Sequence, residues 1–548
     1  MDCRVLFLPN QAQISVPTGT LLLDAAKSAG VYIDSPCGGN GTCGKCIVLL
    51  DQNGNVTRML ACKTKVLQDC TVTLPQAAQL NTLRIGAERA VEFAPCSDLA
   101  ELVDGACFAA FDLGTTSIVC YLLDGTTGEQ IASCGMQNPQ SAYGADVITR
   151  GNYVLTSGEP NTLRDSAIRA LNLLIERTTF SVGRSPDQFT LVSIVGNTVM
   201  HHILLGLPLE QLVRAPYLPF ARERRVLRAE ELNLRIHANA PVLVAPVIGG
   251  FVGADTVACL TATAFDEMKR PTLLLDIGTN GELACTNGVR RVCCSTAAGP
   301  AFEGANISCG MRAESGAVDH VWIEGDSLAF STIDGVPARG ICGSGLIDLV
   351  AVLLRLGTID ETGRFSEESS LSNHLYKEEN GSYSFWIDRG ENKVSLSQKD
   401  VRELQLGKAA IRAGIETLLV TLSLQTDQVE RVLLAGAFGS HISSDALCDI
   451  GLLPEAFRNR VTSIGNAAGE GAKIYARNYS LFLQSEPIAR ETEYIELMQS
   501  GMFTEHFVEA MAFPEHLAQE TCYAPVWKEL HDTQADHQSF YPLSKARL

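Results

Sequence analysis

Basic residues are scarce in this 548-residue chain: 43 Lys and Arg stand against 62 Asp and Glu, a formal charge of −19. Nucleic-acid binding needs clustered cations. The most basic stretch, "ARERRVLR" (221–228), is short, is interrupted by Glu223 and reads as a solvated helix face. A basic segment leading into an apolar run is also missing from the start, so no export signal is expected. The longest uncharged apolar stretch, "NAPVLVAPVIGGFVGA" (239–254), is too short to span a membrane and is broken by two prolines and three glycines. It reads as a buried strand and turn. No G-x-x-x-x-G-K-[ST] occurs, which excludes a P-loop.

Cysteine, by contrast, is plentiful. Eighteen cysteines without an export signal argue for reduced thiols and metal ligation in a cytoplasmic protein. A chain of this length forms about three or four domains and buries a large core without covalent staples.

The cysteines are densest in "CGGNGTCGKC" (37–46), where Cys37, Cys43 and Cys46 follow C-x5-C-x2-C, with Cys62 following after fifteen intervening residues. Paired strands at 3–8 and 13–17, a helix at 19–30 and strands at 46–51 and 70–75 surround the loop, a pattern that fits a small β-grasp domain over residues 1–75. An iron–sulfur cluster explains so bare a loop, because its glycines let backbone N–H groups approach the sulfurs. Cys62 is preferred as fourth ligand over Cys70, which alternates with Val72 and Leu74 and so faces the core. A structural zinc site is the competing reading. The embedded G-x-G-x-x-G (39–44) lacks a strand-to-helix context and is discounted as a dinucleotide fingerprint. These cysteines resemble those of [2Fe-2S] ferredoxins, the first three at the vertebrate-type spacing and the last interval shorter.

Residues 76–105 lack a period and read as a linker, with a short strand around 81–85. Two later segments resemble one another. "FAAFDLGTTSIVCYLLDGTTGE" (108–129) and "TLLLDIGTNGELACTNG" (272–288) each run strand, D-x-G-T-[TN] turn, strand. Two ordinary hairpins would look similar, yet both place Asp at the end of an apolar strand and Gly two residues on. Gly114 and Gly278 would let the main chain approach phosphoryl oxygens, with Thr115, Thr116, Thr279, Asn280 and Gly281 alongside. Asp112 and Asp276 would hold magnesium through water.

"IGGFVGADTVACLTATAF" (248–265) turns into a helix, and "VLLAGAFGSHIS" (432–443) offers Gly436, Ala437, Phe438 and Gly439 for adenosine to pack on. "GNAAGEGA" (465–472), opening at Gly465, is another close turn. In order, these segments resemble the phosphate-1, connect-1, phosphate-2, adenosine and connect-2 elements of the actin, sugar kinase and heat-shock chaperone superfamily. That resemblance makes Asp255 the candidate to orient an attacking water; a helix N-cap is the competing role. The expected architecture is α/β and α+β: the β-grasp domain, the linker, a first lobe or middle domain over 106–235, a main ATPase domain over 236–514 and a polar tail over 515–548.

The combination resembles the ATP-dependent reductive activators of corrinoid proteins. Supporting stretches are "NPQSAYGADVITR" (138–150), "VGNTVMHH" (195–202), "STAAGPAFEGANISCGMRA" (295–313), "GICGSGLID" (340–348), "LSQKDVRELQLGKAAI" (396–411) and "YIELMQSGMFTEHFVEAMAFP" (494–514). The resemblance implies a [2Fe-2S] cluster, ATP and Mg2+ as cofactors and single-electron reduction of a partner's Co(II) corrinoid to Co(I), reactivating a methyltransferase or O-demethylase system. It further implies a reduced ferredoxin or flavodoxin-type electron donor and a homodimer; the acidic charge and the short apolar runs add the expectation of no nucleic acid or membrane as partner. The chain has no D-x-H-x-x-G corrinoid signature, so the cobalt is expected on another protein. His201 and His202 read as packing or capping residues, and Cys293 and Cys294 as facing opposite sides of a strand. Ser344 lies either on a corrinoid-facing loop or in a tight turn before a helix from Leu346 to Leu356.

Other classes share these features. A small-molecule kinase with a structural zinc domain, a chaperone-like nucleotide switch, or an activator of another low-potential metalloenzyme would each carry both clamps. Activators of 2-hydroxyacyl-CoA dehydratases couple this ATPase fold to iron and sulfur, but without a preceding ferredoxin domain.

Overall fold

The computed structural model describes residues 2–8, 12–29, 31, 33, 46–52, 55–73, 91–96, 105–144, 146–278, 280–325, 327–390, 392–436, 442–497, 500–515 and 541–542. The loop with Cys37 and Cys43, the strand expected at 81–85, Thr279 and residues 437–439 lie outside them.

The N-terminal domain contains β1 (Asp2–Leu8), β2 (Ala12–Pro17), α1 (Leu22–Ser28), β3 (Ile47–Gln52), β4 (Asn55–Leu60) and β5 (Cys70–Thr73). Its sheet runs β2-β1-β5-β3-β4, with β1 and β5 parallel. This is the expected β-grasp. Strand β4 was not anticipated: "NVTRML" is exposed along most of its length and shows no clean alternation.

Residues 91–96, inside the segment read as a linker, dock onto the ATPase. Ala94 bridges Asn478, accepting from Tyr479 N–H (3.0 Å) and donating to Arg477 O (2.9 Å). Phe93 stacks on Phe108 at 6.2 Å, and Cys96 is buried.

Two six-stranded sheets follow. The first contains β6 (Cys107–Leu113), β7 (Ser117–Asp124), β8 (Gln130–Gln137), β9 (Phe189–Gly196), β10 (Arg225–Arg228) and β11 (Pro241–Val244), with helices α2 (Val147–Thr156), α3 (Thr162–Val182) and α4 (Thr198–Leu205) between β8 and β10. After α5 (Ala254–Ala262), the second sheet begins with β12 (Thr272–Ile277), β13 (Gly281–Thr286) and β14 (Arg291–Thr296). An insertion carries β15 (Ala317–Glu324), β16 (Ser327–Thr332), β17 (Gly340–Ile341), α6 (Gly343–Arg355), β18 (Leu375–Lys377), β19 (Tyr383–Asp388), β20 (Val394–Ser397) and α7 (Gln398–Thr421). The second sheet is completed by β21 (Arg431–Ala435), α8 (Ser444–Asp449), β22 (Val461–Gly465), α9 (Ala467–Arg477), α10 (Tyr479–Glu491) and β23 (Thr492–Tyr494), before α11 (Gly501–Glu509).

The two sheets repeat one topology. Each has an antiparallel three-strand meander, β6-β7-β8 or β12-β13-β14, whose first strand pairs in parallel with a later one, β9 or β21. A second parallel strand follows, β11 or β22. The likeness of the two sequence hairpins therefore extends to whole lobes. Between the lobes lie α5 and α9, in one core with Phe108, Val195, Leu274 and Leu433. Gly471 makes their crossing close: a Cβ there would sit 2.2 Å from Ala258 O.

Three expectations are corrected here. The boundary after residue 235 cuts the first sheet, because β11 (Pro241–Val244) inserts between β10 and β9; periodicity identified that apolar run as a strand but not its partners. "ARERRVLR" is no helix face, since Arg225–Arg228 forms an edge strand. Arginines on an edge discourage further strand addition. The helix expected from Leu346 begins at Gly343, where Gly345 packs so closely on β15 that a Cβ would meet Val318 O at 2.2 Å. Its predicted stop holds, with Gly357 at φ +64°.

Two sequence readings hold. Cys293 faces the inter-lobe core and Cys294 the outer one. His202 is a packed residue: it meets Thr198 O at 2.8 Å and accepts from Phe220 N–H at 3.1 Å. Burial lowers the pKa of His201 to about 3, keeping the ring neutral in the core. Among the described residues no helix is long and apolar enough to cross a membrane.

Candidate nucleotide and cluster sites

Asp112 and Asp276 end the first strands of the two meanders, and alternation points both toward the cleft between lobes. Behind the first turn, the carbonyls of residues 114–116 are tied back. Asn138 Nδ2 donates to Gly114 O (2.8 Å), Arg150 Nη1 to Thr115 O (2.7 Å) and Asn138 N–H to Thr116 O (2.9 Å). These bonds fix the backbone of the turn. Arg150 is 1 % exposed, and burial pulls its pKa down to about 10. It holds the loop in place from behind. Thr116 Oγ1 reaches across the cleft to both carboxylate oxygens of Glu303, 3.2 Å each.

In the second turn Gly278 N–H donates to Asn280 O (2.9 Å), and a Cβ on Gly278 would meet Asn280 O at 3.8 Å, an ordinary contact. Gly281 is explained by packing, since a Cβ would lie 2.7 Å from Thr296 Oγ1 and 3.1 Å from Ile411. Gly436 and Gly465 have φ +92° and +60° and are joined by Gly436 N–H to Gly465 O, 2.9 Å. A Cβ on Gly436 would meet Asp276 Oδ1 at 2.8 Å. Glycine there leaves room for the carboxylate.

Asp255 lies in the first turn of α5. The N-cap is Gly253, which corrects the N-cap reading of Asp255; its Oδ1 accepts Thr256 N–H at 2.8 Å. Burial raises the pKa of Asp255 to about 7 and that of Asp276 to about 6, and the charges of the neighbouring aspartates add to both shifts. Burial also raises Asp112, which Asn466 Nδ2 partly offsets by donating to Oδ2 at 2.9 Å. Carboxylates that repel one another beside a low-dielectric wall are well suited to a hydrated divalent cation. Among the described residues no three His, Cys, Asp or Glu converge as direct metal ligands.

Three residues join the site that the sequence reading did not single out. Asn466 caps α9 through Gly469 N–H (2.9 Å) and forks its Nδ2 between Asp112 and Tyr121 Oη (3.0 Å). Cys259, one turn beyond Asp255, puts Sγ 3.7 Å from Asp276 Oδ2. Glu282 lies on β13 beside Asp276, and burial first, then the charges of Asp255 and Asp276, push its pKa well up.

In the β-grasp domain Cys46 and Cys62 bring their sulfurs to 3.2 Å, both buried, and Cys62 N–H points at Cys46 Sγ at 3.5 Å. Two thiolates on one tetrahedral metal, with bonds of about 2.3 Å, stand about 3.8 Å apart, so the pair fits shared ligation with a small adjustment. Helix α1 pins the Cys62 turn: Leu22 and Leu23 N–H donate to Thr64 O (2.8 Å) and Ala61 O (3.1 Å). Cys70 sits opposite Val5 in the core, its pKa pushed up to about 11 by burial.

A thiol-bearing β-grasp domain ahead of two clamps on a shared cleft defines the class: an iron–sulfur domain joined to an ATPase of the actin and sugar-kinase type. Family models agree along the chain. Residues 7–67 match the 2Fe-2S iron-sulfur cluster binding domain, 107–268 the RACo middle region and 270–522 the C-terminal ASKHA domain of RACo. The corrinoid activation enzyme RamQ of Eubacterium limosum is 30% identical over 94% of this chain and 100% of its own. A Methanosarcina barkeri Co(II) methylated amine-specific corrinoid protein reductase is 26% identical over 66% of this chain and 68% of its own. The solved structure of a reductive activator for corrinoid, iron-sulfur protein superposes with a TM-score of 0.69 at 27% identity, covering 94% of this chain and 98% of that one. The chain belongs to the family of reductive activators of corrinoid proteins.

Proposed function

We propose that this protein couples ATP hydrolysis to single-electron reduction of the Co(II) corrinoid of a partner protein, restoring Co(I). The observation that carries this reading is one chain holding a paired-thiol β-grasp domain and two facing clamps, similar over 94% of its length to a corrinoid activation enzyme. A [2Fe-2S] cluster, when bound, supplies electrons singly; Cys46 and Cys62 would hold it, with Cys37 and Cys43 as the remaining proposed ligands.

Energetics give the ATPase its purpose. Each 59 mV of deficit in a one-electron step is a tenfold loss in equilibrium, about 1.4 kcal/mol. Closure of the lobes on nucleotide is the source of drive we assign. Gly114, Thr115 and Thr116 would bind phosphate from one side and Gly278, Thr279 and Asn280 from the other. Asp112 and Asp276 would hold hydrated Mg2+ between them, and Asp255 would orient water. Gly436, Ala437, Phe438, Gly439 and Gly465 would seat the adenosine.

We assign the protein to the cytoplasm, acting as a homodimer with a reduced ferredoxin or flavodoxin-type donor. Asp112→Ala and Asp276→Ala should each cut ATP turnover by about 100-fold or more, since phosphoryl transfer depends on positioned charge. The visible spectrum should be unchanged in both. Undiminished turnover in both variants would refute the nucleotide site.

A further inference from the structure

Glu282 stands directly opposite Asp276 across the β12–β13 pair, and Ser295 stands opposite Glu282 on β14. The row faces the cleft, while Leu275, Ile277, Leu283 and Cys294 on either side point into the outer core. Ser295 Oγ donates to Glu282 Oε1 at 3.2 Å, holding the carboxyl group in one orientation. Like charges directly opposed on antiparallel strands are destabilising. Folding alone gives no reason to place an acid here.

The first lobe supplies the comparison. It has the same topology, and the residue opposite Asp112 is Val119, 5% exposed. The fold thus closes well around an apolar side chain at this position. The acid is peculiar to the second clamp, where Asp255 and Asp276 are its charged neighbours.

We propose that Glu282 is a further catalytic residue of this site, accepting a hydrogen bond from the attacking water together with Asp255. The water oxygen bonds to the terminal phosphorus as the bridging P–O bond breaks. ADP leaves with that electron pair, and one water proton passes to the carboxyl pair and on to solvent. The inference rests on the nucleotide-site reading.

Glu282→Gln tests it, because the amide keeps the size and can still accept from Ser295. Three quantities are measured on the full-length holoprotein: Mg-ATP affinity, single-turnover hydrolysis and the nucleotide-free melting temperature. Hydrolysis should fall at least about 10-fold with affinity within about twofold. The melting temperature should hold or rise, since the cost of burying an ionisable group beside two aspartates is gone. Glu282→Asp should recover part of the rate. Hydrolysis at the wild-type rate would overturn the proposal, as would a loss of rate accompanied by a lower melting temperature, which marks a structural residue. If the wild-type protein bound no ATP, the nucleotide-site reading itself would fall; normal binding and turnover in Glu282→Gln would remove this inference alone.

Discussion

Asp255 is held with its pKa near 7 and Asp276 near 6, both mainly by burial. The sign of the consequence follows from proton counting. Between an unfolded value near 3.9 and these folded values, the native state binds more protons than the unfolded chain. Stability of the nucleotide-free protein should therefore fall as pH rises from about 4 to about 7. Melting temperatures across that range should show the slope, and Asp255→Asn should flatten it; an unchanged slope would contradict the assignment of these shifts. The thiols differ in the same residue-by-residue way. Cys62→Ser should bleach or destabilise the cluster, whereas Cys70→Ser, a core change beside Val5, should leave the visible spectrum in place. Iron content and absorbance after anaerobic purification decide between them. Asp112, Asp276 and the Cys46–Cys62 pair were legible because glycine-rich turns and tight cysteine spacing are local patterns. Glu282 was not, because its meaning lies in the strand opposite.

Helix α9 shows how an element binds the halves of a site together. Asn466, at its start, satisfies Gly469 N–H and holds Asp112 across 354 residues of sequence. Asn466→Ala should cost about 1–2 kcal/mol of stability through the lost cap and also lower ATP turnover. Asn466→Asp should keep the cap yet set a like charge against Asp112, so turnover falls while denaturant stability drops less than in the alanine variant. Equal stability loss in both would argue against the capping role. Helix α7 works similarly on the C-terminal side: buried Lys408 donates to Ala510 O (2.7 Å) and Ala512 O, and Gln405 Nε2 to Met511 O (2.8 Å). Two of the family-like stretches thus serve to dock α11. Strand and turn positions were readable from alternation and glycine, as in 108–129 and 272–288. Partner strands are not, so periodicity alone leaves β11 on the wrong side of a lobe boundary, and β4, exposed and without clean alternation, carries no signal.

Across the whole molecule, the repeated lobe topology and the separate thiol domain divide the labour between driving force and electron supply. Neither half should suffice alone. A variant lacking Cys62 should hydrolyse ATP but reduce nothing, and Asp276→Ala should hold a reducible cluster yet activate poorly. The direct measurement is the Co(I) absorbance of a Co(II) corrinoid partner under anaerobic conditions, with a low-potential reductant, with and without Mg-ATP. Co(I) is expected to accumulate only when ATP is present; an equal yield without nucleotide would contradict the coupling.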